Sequence, residues 1–274
     1  MSSPVTKGFP AVCLAAVCMC VFVSAALCED EIFLSPEDII FAEKRGMEIA
    51  QYEKAAMKAT DMLLELKPDR SKLGMYIAYK AAGVWKVYFG RISGEAADFQ
   101  PAYVFACPAD SPKKMKAVSF SEIPAEVTQR ARAVNTAVKA IEFDARGGPY
   151  NTSVFREEDG MLTVYLLPGN KNPDVVLLGG DFKVSVSSDG SQAVRKIPLH
   201  RTVLEIPSVP KEGKPAGSFH THIMDDLPTE TDVAQVILYP SLAPHSILGR
   251  EWFSQIDKNG RIIILGRTKE ILLH

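Results

Sequence analysis

The stretch from Ser35 to Leu66 constrains this chain most. Ser35 can cap a helix, Pro36 suits the first helical position, and Glu37 and Asp38 complement a helix N-terminus. Apolar residues at Ile39, Ile40, Met47, Ala50, Ala55, Met62 and Leu66 recur near the 3.6 period. Pro68 stops the helix near Lys67, because proline restricts its neighbour and cannot continue the ladder. A helix of this length must bury one face, and the residues after it read as strands: Met75–Tyr79, Val84–Phe89 and Ala102–Cys107. A second helix opens at Ser121 to Pro124, with a stripe through Val127, Val134, Ala137, Val138 and Ile141, and ends before Gly147-Gly148-Pro149. Strands return at Met161–Leu167, Phe182–Ser187, Ala193–Ile197 and Val203–Ile206, with hairpin turns at Asp159-Gly160 and Asp189-Gly190. Helices and strands do not alternate regularly. The predicted fold is therefore α+β: two amphipathic helices packed on mostly antiparallel sheet, with a C-terminal strand-loop-helix-hairpin unit.

The two helices head similar segments. Val84-Trp-Lys-Val-Tyr-Phe-Gly90 and then Asp98-Phe99 follow the first; Met161-Leu-Thr-Val-Tyr-Leu-Leu167 and then Asp181-Phe182 follow the second. A duplicated helix-plus-sheet unit would leave this pattern, and unrelated amphipathic segments can mimic it.

Ahead of the first helix, Lys7 and the uncharged apolar run Ala11–Ala26 precede Glu29-Asp30-Glu31, the pattern of a secretory signal peptide. The run is short for a membrane span, so an uncleaved anchor is the lesser reading. Leu27 before Cys28 suits lipoprotein processing poorly. The expected division is a signal peptide at 1–28, an N-terminal helix-plus-sheet region at 29–120 and a C-terminal α+β domain at 121–274. The expected location is periplasmic or extracellular. Four of the five cysteines lie in the leader, so cleavage after Cys28 leaves Cys107 alone and packing must supply the stability. The remainder carries 30 basic against 33 acidic residues. That balance and the lack of a basic stripe exclude a nucleic-acid surface, and nothing after the leader is apolar enough to span a membrane.

Chemistry concentrates in Gly217–Asp232. If 217–222 is a strand, alternation puts His220 and His222 on one face, about 6.5 to 7 Å apart at Cα. With Thr229 capping the next helix, Asp232 falls in its first turn and can face back toward them. Two imidazoles and a carboxylate around an open fourth position suit catalytic zinc, which needs a separate carboxylate for proton transfer. His-Thr-His followed by Pro-Thr-x-x-Asp at a helix start resembles the JAMM (MPN-type) metalloprotease motif. The resemblance covers roughly a fifth of the chain. It implies zinc ligands at His220, His222 and Asp232, a hydroxyl at Thr229 that orients the oxyanion, and hydrolysis of an amide or isopeptide bond. The chain departs from that family in having Ile223 where proline is usual and one residue fewer between His222 and Thr229. Its upstream Glu has no clear match, with Glu142, Glu157 and Glu158 candidates by distance. Asp159–Gly169, Leu178–Phe182, Thr221-His222 and Pro228–Glu230 are also similar to exported bacterial proteins of unassigned function. That likeness pairs His222 with Glu230, either as a structural ion pair or with Glu230 capping its own helix. The alternative to a hydrolase is thus a non-catalytic exported binding or envelope-interaction protein with a structural His/Glu/Asp cluster. His200 and His245 read as isolated, and Gly179-Gly180-Asp181-Phe182 reads as a turn before a strand.

Overall fold

In the computed structural model, residues 34–94, 98–141, 149–170, 172, 174–208 and 217–272 are described. The expected leader 1–28, Glu142 with the expected end of the second helix, and most of the Pro/Gly/Lys segment 208–217 lie outside them.

Helix α1 spans Pro36–Glu65, and the Ser35 hydroxyl accepts from the Asp38 amide as the sequence predicts. Its buried face differs from the predicted stripe. Ile40, Met47 and Leu66 are exposed, and most buried positions are small or polar, Ala42, Gly46, Ala50, Ala55, Ala56, Ala59, Arg45 and Glu53, beside the large Ile49, Tyr52 and Leu63. The cause is close packing on two sides, which favours small side chains over large apolar ones. After α1 come β1 (Met75–Ala81), β2 (Val84–Ser93), β3 (Asp98–Pro108) and β4 (Lys116–Ala117), an antiparallel sheet in that order.

Helix α2 (Ala125–Ile141) buries Val127, Val134, Ala137 and Ile141 as expected, while Val138 is exposed. It leads into β5 (Tyr150–Arg156), β6 (Leu162–Pro168), β7 (Val175–Gly179), β8 (Phe182–Val186) and β9 (Ala193–Pro198). A second antiparallel sheet has the order β5-β6-β8-β9, and β7 leaves it to pair with β10 (Val203–Pro207). Each helix thus precedes an antiparallel four-stranded sheet. The similar sequence segments fall on its second strand, β2 or β6, and at the start of its third, β3 or β8. The largest apolar core joins both sheets to α1 and α2 through residues such as Tyr52, Phe105, Val134 and Leu166.

The C-terminal unit begins with β11 (Ser218–Thr221) and α3 (Glu230–Leu238), followed by β12 (His245–Leu248), β13 (Trp252–Ile256), β14 (Ile262–Arg267) and the short α4 (Thr268–Ile271). Its sheet has the order β11-β12-β13-β14, and only β11–β12 is parallel, because α3 supplies the crossover that parallel strands need. The predicted hairpin turns at Asp257–Gly260. Residues 245–248 add a strand between the expected helix and hairpin; four residues between two partners owe their extension to pairing, which no local pattern records.

Helix α1 also packs along α3. A Cβ added to Gly46 would lie 2.5 Å from Val233 Cβ and 2.7 Å from the Glu230 carbonyl oxygen, so only glycine admits this approach. The regions 29–120 and 121–274 therefore share a core, within one compact unit Leu34–His274. Among the described residues no helix is long and apolar enough to cross a membrane.

Candidate metal centre

The end of β11 and the start of α3 carry the predicted residues to one point. His220 lies in β11 and His222 just beyond it, its amide donating to the Leu248 carbonyl so that the parallel pairing continues one residue further. Thr229 caps α3 through a reciprocal box. Its hydroxyl accepts from the Asp232 amide at 3.3 Å, and its own amide donates to Asp232 Oδ2 at 2.8 Å. The Thr229 hydroxyl also donates to Oδ2 at 2.7 Å. Spent on Asp232 and beside Thr231, that buried hydroxyl orients a carboxylate. Asp232 is thereby fixed with both oxygens toward the histidines.

A third histidine completes the group. His200, after β9, places Nε2 at 3.0 Å from His222 Nε2 and 3.3 Å from Asp232 Oδ1. His220 Nε2 lies 3.6 Å from Oδ1, and His222 Nε2 lies 3.3 Å from Oδ2. All four ligand atoms fall within 4.8 Å of one another, and the residues are buried or nearly so. A tetrahedral ion with bonds of about 2.0–2.1 Å sets its ligand atoms about 3.3–3.4 Å apart. These four contacts, from 3.0 to 3.6 Å, lie around that value, with Asp232 presenting Oδ1 to His200 and His220 and Oδ2 to His222.

Each imidazole is oriented through Nδ1, leaving Nε2 for the centre. His200 Nδ1 meets Asp181 Oδ1 at 2.6 Å, and His222 Nδ1 donates to the Leu227 carbonyl at 2.9 Å. His220 Nδ1 contacts His245 Nε2 at 2.7 Å, and His245 Nδ1 contacts the Ser218 hydroxyl, which donates to the Leu242 carbonyl at 2.6 Å. The chain has one consistent proton assignment. Because Ser218 gives its proton to Leu242, its oxygen accepts from His245 Nδ1; His245 Nε2 then accepts from His220 Nδ1. His220 Nε2 is left with a bare lone pair, buried and without a hydrogen-bond partner, at the middle of the cluster. Backbone carbonyls and a carboxylate behind ligating histidines are the usual outer shell of a metal site.

The charges of the cluster are coupled, and the proton His200 holds would have to leave before its Nε2 could ligate an ion. Burial, with the neighbouring imidazoles, lowers His220 to about 3 and keeps it neutral. Burial lowers His245 as well. Burial opposes the charge on His200, but Asp232 and Asp181 outweigh it and push the imidazole up to about 11. Burial likewise opposes ionisation of Asp232, and His200 and His222 outweigh it and hold the carboxyl well below its ordinary value.

Two expectations change. Glu230 does not reach His222; it receives Lys183 Nζ at 2.6 Å and the Tyr165 hydroxyl at 3.0 Å. Residues two apart in a helix project about 200° from each other, so Glu230 and Asp232 cannot both face the histidines. His200 and His245 are not isolated. The turn before β8 brings His200 in: Gly179 and Gly180 both have positive φ, and a Cβ on Gly179 would lie 3.1 Å from His200 Cβ. The signal that could have found them is economy, since four of only five histidines in the chain meet here.

A cleft of about 120 Å³ opens on His200, His220 and His222. Among the described residues no carboxylate lines it. Glu157 is held by the Arg45 guanidinium at 2.7 and 2.8 Å, and Glu158 lines a different cleft beside α1. Comparison with family models, with curated proteins and with solved structures finds no match.

Proposed function

We propose that this chain is an exported zinc protein in which His200, His220, His222 and Asp232 hold one ion through three nitrogens and one oxygen. The observation that carries the reading is the buried, unpartnered Nε2 of His220, 3.6 Å from Asp232 Oδ1 in a group whose ligand atoms all lie within 4.8 Å of one another. Imidazole with carboxylate suits zinc among the common divalent ions, and four protein ligands supply a tetrahedral set. The apolar leader supports export. In the JAMM-like element His200 then stands where that family keeps an open position, and the ion organises the junction of β11, α3 and the turn after β9. X-ray absorption of the zinc-loaded protein tests this. Three imidazole nitrogens and one oxygen at about 2.0–2.2 Å are expected; a six-coordinate shell, or fewer than three imidazoles, would overturn it.

One observation favours a second reading, hydrolysis of an amide or isopeptide bond: the cleft reaches three of the four ligands. That reading needs His200 to leave the ion and, steadied by Asp181 through Nδ1, to accept the proton that the JAMM resemblance assigns to an upstream Glu. Asp181→Asn would then abolish cleavage of a reporter amide at saturating zinc with one ion still bound. A zinc-loaded wild type that cleaves nothing removes this reading and leaves the first.

A further inference from the structure

The cleft beside the cluster has a chemistry of its own. One wall comes from β7 and β10 through Leu178 and Leu204, and the other from the segment after β11 through Ile223 and Met224. Leu199 lies behind His200, and Arg201 lines the same space. Leu204, Ile223 and Met224 are exposed large apolar side chains, an arrangement a chain leaves open to water at a cost unless something covers it. The cleft thus has three imidazoles and a guanidinium in its lining, apolar side chains beside them and no carboxylate among its described residues.

We propose that this cleft binds a small monoanion with an apolar tail, of the carboxylate or hydroxamate class. The head joins the metal as an added ligand and the tail lies along Leu178, Leu204, Ile223 and Met224. The inference rests on the metal reading above. A divalent ion with Asp232 as its one anionic ligand keeps one net positive charge, which a monoanionic head neutralises, and the Arg201 guanidinium in the lining adds to the attraction. Tetrahedral zinc can expand to five ligands. A cavity of about 150 Å³ holds benzene, so about 120 Å³ fits roughly four to six carbons.

Calorimetric titration of zinc-loaded protein with acetohydroxamate, butyrohydroxamate, hexanohydroxamate and dodecanohydroxamate tests it, metal content being measured first. Affinity should rise about three- to fourfold per methylene up to the six-carbon member and then level off. Leu204→Asp, at a half-exposed position, should flatten that rise with zinc still at one per chain. Zinc bound with no dependence on tail length, or a rise equal in metal-free protein, overturns the inference and leaves the metal reading standing. If no zinc binds at all, both readings fall.

Discussion

At the scale of single residues the centre depends on groups that touch no ion. Asp181 and His245 act on His200 and His220 through Nδ1, and such partners typically contribute 10- to 100-fold in metal affinity. Asp181→Asn keeps the shape and loses the charge, so zinc affinity should fall by about that factor in a chelator competition titration; unchanged affinity would make Asp181 a bystander. His220, His222 and Asp232 were legible because local geometry brings them together: strand alternation for the first pair and a helix cap for the third. His200 and His245 were not legible. They arrive from a glycine turn and from a strand that exists only by pairing, and neither leaves a spacing in the sequence. Away from the centre, Glu53 on α1 is buried, and burial raises its carboxyl to about 8 despite the Tyr76 hydroxyl at 3.1 Å. A folded value above the ordinary 4.5 means that the native state holds a proton which the unfolded chain releases. Stability from this group is therefore complete below about 4.5 and lost as pH rises toward 8, by on the order of 5 kcal/mol at most. Glu53→Gln, which keeps a neutral side chain there, should flatten denaturant midpoints between pH 5 and 8; a parallel pH dependence in both proteins would refute the assignment.

At the scale of elements, the position of Asp232 is set by how α3 lies on α1. Gly46 is the point of closest approach, and α3 begins there with its capping box. In Gly46→Ala the new methyl meets Val233 Cβ and a backbone carbonyl, so the helices must part. Overpacking of this kind costs about 1–3 kcal/mol, against roughly 1 kcal/mol gained in helix propensity. A net loss in chemical denaturation, with weaker zinc binding, is expected; equal or greater stability would show that α3 is not fixed by this contact. The limits of α1 were legible from Ser35, Pro36 and Pro68, and the start of α2 from Ser121 to Pro124, since caps and prolines act locally. The inward face of α1 was not. Beside Ile49, Tyr52 and Leu63 it is built from alanine, glycine, Arg45 and Glu53, and hydropathy reads those residues as neutral or polar, whereas packing density selects them.

At the scale of the whole molecule, β11, α3 and the turn after β9 are three separate elements tied at one cluster. The α+β class was legible from the order of helices and turn-bounded strands, while the departure of β7 to pair with β10 was not, because it depends on partners chosen in three dimensions. An ion that binds the folded chain alone stabilises it by mass action, about 2.7 kcal/mol at 100 times the dissociation constant. For a chain of this size the thermal midpoint should rise by about 5–10 °C on adding zinc and return on chelation; no shift would mean that the cluster needs no metal. The most direct test of a four-residue centre is calorimetric titration of zinc into wild-type protein and His200→Ala. One ion per chain is predicted for the wild type, with affinity reduced at least 100-fold in the variant. Equal affinity in the two proteins would show that His200 is not a ligand and would contradict the account.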